Sequence, residues 1–305
     1  MAGVEAKKVE WIYSSPPTLD KDPTMPYRQL DTRPQLGSTG NIIQHSKLLY
    51  SRLALLEPSM IFIRRGCKRL RWAKGELLVS AGQMVAVAGN QTFDVINEPD
   101  ENGLYEAQWV SFDQTVVERF ADQYGTGTAI ADAALLGRND KAAASFEHAA
   151  WALSQADMPA AVTETTLHSL LAWLLHQGWG FTVYERISLV RQIRKMIAAD
   201  TAQAWTAAQA AQQLNMSEPT LRRQLAQQNT SFRQLLADVR MMRALTLLQV
   251  TDWPIAHIAG EAGYHSASRF AARFKQRFGF PPSAVRAAGA ISAASYRRDG
   301  RITIP

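Results

Sequence analysis

The sequence predicts an α+β chain: a small β-barrel or jelly roll, then helices, then an all-helical C-terminal part. Three observations carry this. Between about residues 42 and 112, apolar runs of four to six residues are cut by Gly, Asn and Pro, which is the rhythm of many short strands. After Phe112 the strand signals stop and apolar residues recur at helical intervals. Charge is also divided. Residues 183–305 hold 17 Lys and Arg against 7 Asp and Glu, whereas residues 1–182 hold 16 against 20. A basic second half beside a mildly acidic first half fits a chain in which one part meets a polyanion, although a solvated basic surface gives the same count.

In chain order, residues 1–40 carry Pro16, Pro17, Pro23, Pro26 and Pro34 among polar residues and read as an irregular leader. Strands are expected at 59–65, 69–72, 76–80, 83–88, 93–97 and 104–112, separated by turn signals such as Lys74-Gly75 and Gly89-Asn90. Helical spacing follows at 113–123, 140–155 and 163–176, with Asp113 and Asp140 as N-caps. These segments form an N-terminal domain over 41–180. A second helical domain is expected over 183–287, and 288–305 reads as a loose tail rich in Ala, Ser and Arg.

Two helix-turn-helix units are expected inside the second domain. In the first, Thr206 caps a helix whose Ala207, Ala210, Ala211 and Leu214 share one face, and small alanines there let another helix cross closely. Leu214-Asn215-Met216 makes the turn, since Asn tolerates the left-handed conformation. Ser217 then caps a recognition helix, with Pro219 tolerated near its start. Leu221 and Leu225 face inward, while Glu218, Arg222 and Arg223 lie on the outer side, where Arg suits guanine in the major groove. A linker helix follows over 232–250, capped by Ser231, with a stripe of Phe232, Leu235, Leu236, Val239, Met242, Leu245 and Leu248. Arg240 on it is expected to contact phosphate or to form a surface ion pair. In the second unit Ile255, Ile258, Ala259 and Ala262 face inward, Gly263 turns the chain, and Ser266 caps the recognition helix. Phe270, Phe274 and Phe278 recur every fourth residue to seat that helix, and Gly279 with Pro281-Pro282 ends it.

The run Ile258-Ala259, Gly263-Tyr264, Ser266, Ser268 and Phe270, followed by Phe274-Lys275, Phe278-Gly279 and Pro282, resembles the signature of the AraC/XylS family of transcription regulators. Leu214, Met216-Ser217, Leu221 and Arg223 resemble its upstream part, and Arg240-Met241, Ala244 and Leu247-Leu248 its middle. The resemblance covers about residues 185–287. It implies promoter DNA and RNA polymerase as partners, a homodimer, and control through the N-terminal domain by a small molecule or a protein. It also implies activation of transcription in the cytoplasm at the nucleoid. DNA contacts are expected from Ser217, Glu218, Thr220, Arg222, Arg223, Arg240, Ser266, Ala267, Ser268, Arg269, Arg273 and Lys275. This chain departs from the family pattern at Arg269, where an aromatic residue is usual, and at Ala272, where Arg is frequent. The second helix is therefore expected to read bases differently or to grip mainly phosphate.

The N-terminal domain resembles the cupin-like sensory domain of family relatives around Gly75-Glu76-Leu77 and Ala81-Gly82-Gln83. Its strand region has one histidine, His45, so no metal cofactor is expected, nor any other. His148, His168 and His176 fall on helices and read as packing or surface residues. No zinc-protease, phosphate-loop or nucleophile-elbow motif occurs, which argues against an enzyme. A metal-independent enzyme or ligand carrier fused to a DNA-binding domain is the alternative. Arg64, Arg65, Lys68, Arg69, Arg71 and Lys74 crowd one hairpin, as an anionic effector site or a contact to DNA or polymerase, or more simply as a solvated edge guarded against aggregation. Cys67, the one cysteine, lies among these cations, which lower a thiol's pKa, and is a candidate redox sensor. The N-terminal residues lack a signal-peptide pattern, and no stretch approaches the ~20 apolar residues of a membrane span.

Overall fold

The computed structural model describes residues 30–183 and 188–289. The junction expected near residue 183 and the greater part of the expected tail lie outside the described residues. The N-terminal part runs β1 (Leu30–Arg33), β2 (Gly37–Gln44), β3 (Leu48–Leu55), β4 (Ser59–Arg65), β5 (Cys67–Trp72), β6 (Gly75–Ser80), β7 (Met84–Val87), β8 (Gln91–Glu98) and β9 (Tyr105–Phe112). It continues with α1 (Gln114–Tyr124), β10 (Thr128–Ala129), β11 (Ala133–Leu136), α2 (Asp140–Ser154), α3 (Ala160–His176) and β12 (Trp179–Gly180). The C-terminal part is helical: α4 (Leu189–Ala199), α5 (Ala207–Gln213), α6 (Glu218–Gln227), α7 (Phe232–Val250), α8 (Ile255–Glu261), α9 (Ala267–Phe278) and α10 (Pro282–Gly289).

The strands form two sheets, ordered β1-β2-β9-β4-β7-β11 and β3-β8-β5-β6, and β10 pairs with β12. Alternation along each strand decides the layers. Val85 and Val87 point between the sheets, where they meet Ile63, Leu70, Val79, Phe93 and Val95. Met84 and Ala86, on the opposite face of the same strand, join Met60, Val110 and Phe112 against Phe146, Leu167 and Leu171 of the helical layer. Asp113 caps α1 as expected, accepting from the Thr115 amide. Asn139, rather than Asp140, caps α2, because its side chain reaches the amides of Lys141 and Ala142.

Several elements differ from the sequence reading. Residues 30–44, assigned mostly to the leader, are the paired strands β1 and β2. They carry Thr, Ser and Asn rather than alternating apolar residues, and side chains hold them in place: Ser38 and Ser111 hydroxyls lie 2.7 Å apart and Thr39 donates to the Trp109 carbonyl. Strand β3 was not anticipated because a bulge between Tyr50 and Leu53 breaks its alternation, with Arg52 at φ 51°. Pro282, expected only to stop α9, begins α10, where its missing N–H needs no partner.

The basic hairpin is largely neutralised. Arg64 pairs with Glu147, Arg65 with Asp100, and Arg69 and Arg71 with Glu76. This matches the plainer reading of a solvated edge. Cys67 does not fit a redox sensor. Burial raises its thiol pKa, and Glu98 beside it acts in the same direction against Arg69 and Lys47.

Lys68 has turned inward. It is 4% exposed, donates to Asn97 Oδ1 at 2.7 Å, and lies 5.5 Å from the Tyr105 ring centre. Burial lowers its pKa to about 7. The unfolded chain keeps this proton well above neutrality, so between those limits the unfolded state binds more protons and stability rises with pH. Below about 7 the destabilisation is present in full. Lys68→Met removes it. The variant's stability relative to the parent is expected to be about 3 kcal/mol better at pH 7 than at pH 10. Urea unfolding at both pH values measures this, and a difference that did not change with pH would show that Lys68 is not held neutral.

Candidate nucleic-acid interface

The C-terminal helices form two units on one spine. Ile193 and Ile197 of α4, Trp205 of the connection after it, Ala210 and Ala211 of α5, and Leu221 and Leu225 of α6 share a core with Phe232, Leu235 and Val239 of α7. Met241, Ala244, Leu245 and Leu248, further along α7, join Ile258, Ala259, Phe270, Phe274 and Phe278 in a second core. Helix α7 is therefore buried on more than one side, which a single expected stripe did not capture. Met241, Ala244 and Leu247 are covered in addition to the predicted positions, and Met242 is only partly so.

Each unit turns at a residue with positive φ, Asn215 at 53° and Gly263 at 74°. Each recognition helix then starts at a serine. The Ser217 side chain accepts from the Thr220 amide, and Ser266 accepts from the Arg269 amide. A capping box between Thr206 and Gln209 opens α5. These caps fix where α6 and α9 begin, and hence which residues stand outward.

On α6, Arg222 and Arg223 are exposed, while Leu221 and Leu225 are buried. Glu218 and Arg222 form an ion pair one turn apart. Such a pair is worth little in water, so it orients the guanidinium without immobilising it. On α9, Ala267, Ser268, Arg269, Arg273 and Lys275 are all exposed. Arg269 and Arg273 line a groove of about 620 Å³ together with Tyr264, His265, Ala272 and Gln276. Lys275 lies about 100° round the helix from Gln276, on the flank, and Ser268 shares a hydroxyl contact of 2.9 Å with Ser266.

Arg240 is placed differently from the expectation. Its Nε donates to the Thr201 carbonyl at 3.1 Å and its Nη2 to the Gln203 carbonyl at 2.7 Å. A guanidinium engaged on two backbone oxygens inside the domain is not a free phosphate ligand. His265 and Gln276 were not singled out from sequence. For Gln276 the signal was available, because positions 269, 272 or 273 and 276 follow helical spacing along the face that carries the arginines.

The barrel touches both units. Arg191 of α4 donates to Gln114 at 3.0 Å and lies 3.6 Å from Glu57, whose pKa is raised by burial despite that neighbour. Lys195 reaches Asp113 at 3.2 Å. At the other unit, Arg277 donates to the carbonyls of Ser51 and Arg52, Phe280 meets Tyr50 edge to face at 5.8 Å, and the His45 amide donates to Ala288.

Comparison with known proteins agrees with this geometry. Residues 210–288 match a family model described as a helix-turn-helix domain. The chain is 37% identical over 111 residues to the HTH-type transcriptional regulator GadX of Escherichia coli, covering 34% of this chain and 40% of that one. It is 35% identical over 91 residues to the transcriptional activator CfaD of Escherichia coli, 30% of this chain and 34% of that one. Similarity to SirC of Salmonella typhimurium is 32% over 120 residues, 38% and 41% of the two chains. The matched segment thus spans well under half of each relative. The fold as a whole resembles apo ToxT of Vibrio cholerae, with a TM-score of 0.63 at 12% identity over 86% of this chain and all of that one. A ToxT structure with an unsaturated fatty acid bound gives 0.61 at 13% identity, over 86% and 98% of the two chains.

Adjacent residues on α9 should respond oppositely to truncation. Phe274 is fully buried, and Phe274→Ala is expected to cost about 3–5 kcal/mol of stability. Arg273→Ala, on the exposed face, is expected to stay within about 0.5 kcal/mol. Urea unfolding of both variants tests the placement, and equal losses would mean that the helix is seated differently.

Proposed function

The C-terminal part of the chain is a helix-turn-helix domain of the AraC/XylS family, and from that premise we propose that the protein is a sequence-specific, promoter-binding transcription regulator. The carrying observation is the pair of capped recognition helices on one spine, each seated by apolar residues and bare on a face that presents arginines. In this reading Arg222, Arg223, Arg269 and Arg273 approach bases. Ser217, Thr220, Ser266, Ala267, Ser268 and Lys275 settle the helices against phosphate, and Glu218 orients Arg222. The exposed cations give a salt-sensitive, sequence-independent attraction on which base contacts impose specificity.

The β-rich part is the natural receiver of a controlling signal, because it grips both units and mere DNA binding does not need it. A small molecule or a protein partner fills that role, and the ToxT structure holding a fatty acid is a precedent for the former on a similar fold. We further read the protein as an activator that meets RNA polymerase, acts as a homodimer, and works in the cytoplasm at the nucleoid.

Selection of bound sequences from a random duplex pool by the full-length chain tests the reading. Two short elements about one helical turn apart are expected, since α7 spans roughly 28 Å. Inserting about five base pairs between them turns the second element to the opposite face, and affinity should fall by orders of magnitude because the second contact is effectively intramolecular. Arg222→Ala should lose roughly 1–3 kcal/mol at one base pair and relax specificity there. Binding indifferent to sequence, or to the half-turn insertion, would sink the two-helix reading.

A further inference from the structure

We propose that Arg240 is the positioning residue that sets the distance and angle between the two recognition helices, and that it does so without touching DNA. The consequence at DNA rests on the promoter-binding reading above; the mechanical claim does not.

Helix α7 alone does not fix the two units to each other. Its first half belongs to one core and its second half to another, with the changeover between Val239 and Met241. The remaining helices of each unit hang on short connections, residues 200–206 between α4 and α5 and residues 251–254 before α8. A bend at the changeover would move α9 relative to α6 while leaving each core intact.

Arg240 projects from α7 at that changeover and closes the gap. Its fork donates to Thr201 and Gln203, both in the connection of the first unit. The same guanidinium lies 6.0 Å from the Tyr264 ring centre, in the turn of the second unit. Gly263 in that turn is glycine for two reasons. Its φ is 74°, and a Cβ there would stand 2.5 Å from Arg240 Nη2 and 2.6 Å from the Thr201 carbonyl oxygen. The two units therefore abut at this point, with the guanidinium between them. Thr201 adds a direct link by donating its hydroxyl to the Glu261 carbonyl at 2.7 Å, across to the end of α8.

The chemistry requires arginine. Two carbonyls two residues apart are met by a planar fork whose donors point in fixed directions, and the flat cation also faces an aromatic ring. A lysine ammonium offers one flexible point charge and cannot hold both carbonyls in place. Thr201 is buried, so its carbonyl loses its partner when Arg240 is shortened. A pair of helices held at the spacing of the DNA groove before binding has less ordering to do on contact.

The test has a mechanical arm and a DNA arm, both on the full-length chain. In a Cys67→Ser background, spin labels at Gln227→Cys on α6 and Lys275→Cys on α9 report the separation of the units without DNA. One narrow distance distribution is expected for the parent, and a distribution at least about twice as wide for both Arg240→Lys and Arg240→Gln. Thr201→Val, which changes no charge, should broaden it in the same direction. Unchanged distributions in the Arg240 variants overturn the proposal whatever the protein does with DNA. A change with Gln but not with Lys overturns it too, because a point charge would then suffice.

In the DNA arm, the two selected elements are moved apart by about two base pairs. The parent should lose at least about tenfold in affinity, and the Arg240→Lys protein less than about threefold, with a weaker optimum. The salt slope should be the same for both. If instead Arg240→Gln lowers the salt slope by about one and leaves the spacing preference intact, Arg240 is a phosphate ligand and the proposal fails. Failure of the parent to bind any duplex would contradict the promoter-binding reading alone, since the distance measurement stands without it.

Discussion

Helix α9 must be bare on one side and immovable on the other, and a run of rings satisfies the second demand. Phe270, Phe274 and Phe278 are buried at successive turns, with ring centres 5.7 and 4.6 Å apart. Their spacing puts all three on one face, so the opposite face is left to Arg269, Arg273 and Gln276. The run does not stop at the domain's edge. Phe280 lies 6.3 Å from both Phe274 and Phe278 and meets Tyr50 of β3, so the seat of the recognition helix continues into the barrel wall.

The barrel's two grips are of different kinds. Toward α4 it offers polar side chains: Gln114 and Glu57 to Arg191, and Asp113 to Lys195. Toward α9 and α10 it offers a ring and backbone carbonyls, to Phe280 and Arg277. Lys195 is half exposed, so its pairing weakens as salt screens it. The apolar contact of Tyr50 with Phe280 is insensitive to salt. Tyr50 also donates to Gln44, which accepts from Asn97, the acceptor of the buried Lys68. The interior of the barrel is thus joined by hydrogen bonds to the residue on which the second unit rests.

Much of this was legible in the sequence, and the reasons are local. The caps Ser217 and Ser266, the turns at Asn215 and Gly263, and the phenylalanines at four-residue intervals are all set by residues close in the chain. The same holds for the alternating strands β4 to β9. What escaped depends on contacts between distant residues. Strand β2 holds its place through Thr39 and Ser38 against β9, about seventy positions away. Lys68 looked like part of an exposed basic edge because inward turning of one lysine leaves no local trace. Arg240 looked like a surface cation for the same reason. Its partners at Thr201 and Gln203 lie nearly forty residues upstream. The composition of the basic hairpin was plain, but the acids that neutralise it come from β6, β8 or the turn after it, and α2.

These joints constrain how a change in the barrel is able to reach the two recognition helices. With Arg240 bridging the two units, α6 and α9 move as one body, and altering their mutual spacing would require breaking a partly buried, doubly bonded guanidinium. The contacts between barrel and helices are separate: Arg191 with Gln114 and Glu57 and Lys195 with Asp113 on one side, Phe280 with Tyr50, Arg277 with the Ser51 and Arg52 carbonyls and the His45 amide with Ala288 on the other. On the proposed reading, a ligand or partner that binds two barrel conformations unequally would act on the paired recognition helices as a unit, through these contacts. On that reading, the orientation of the pair relative to the barrel is the quantity such a signal would change.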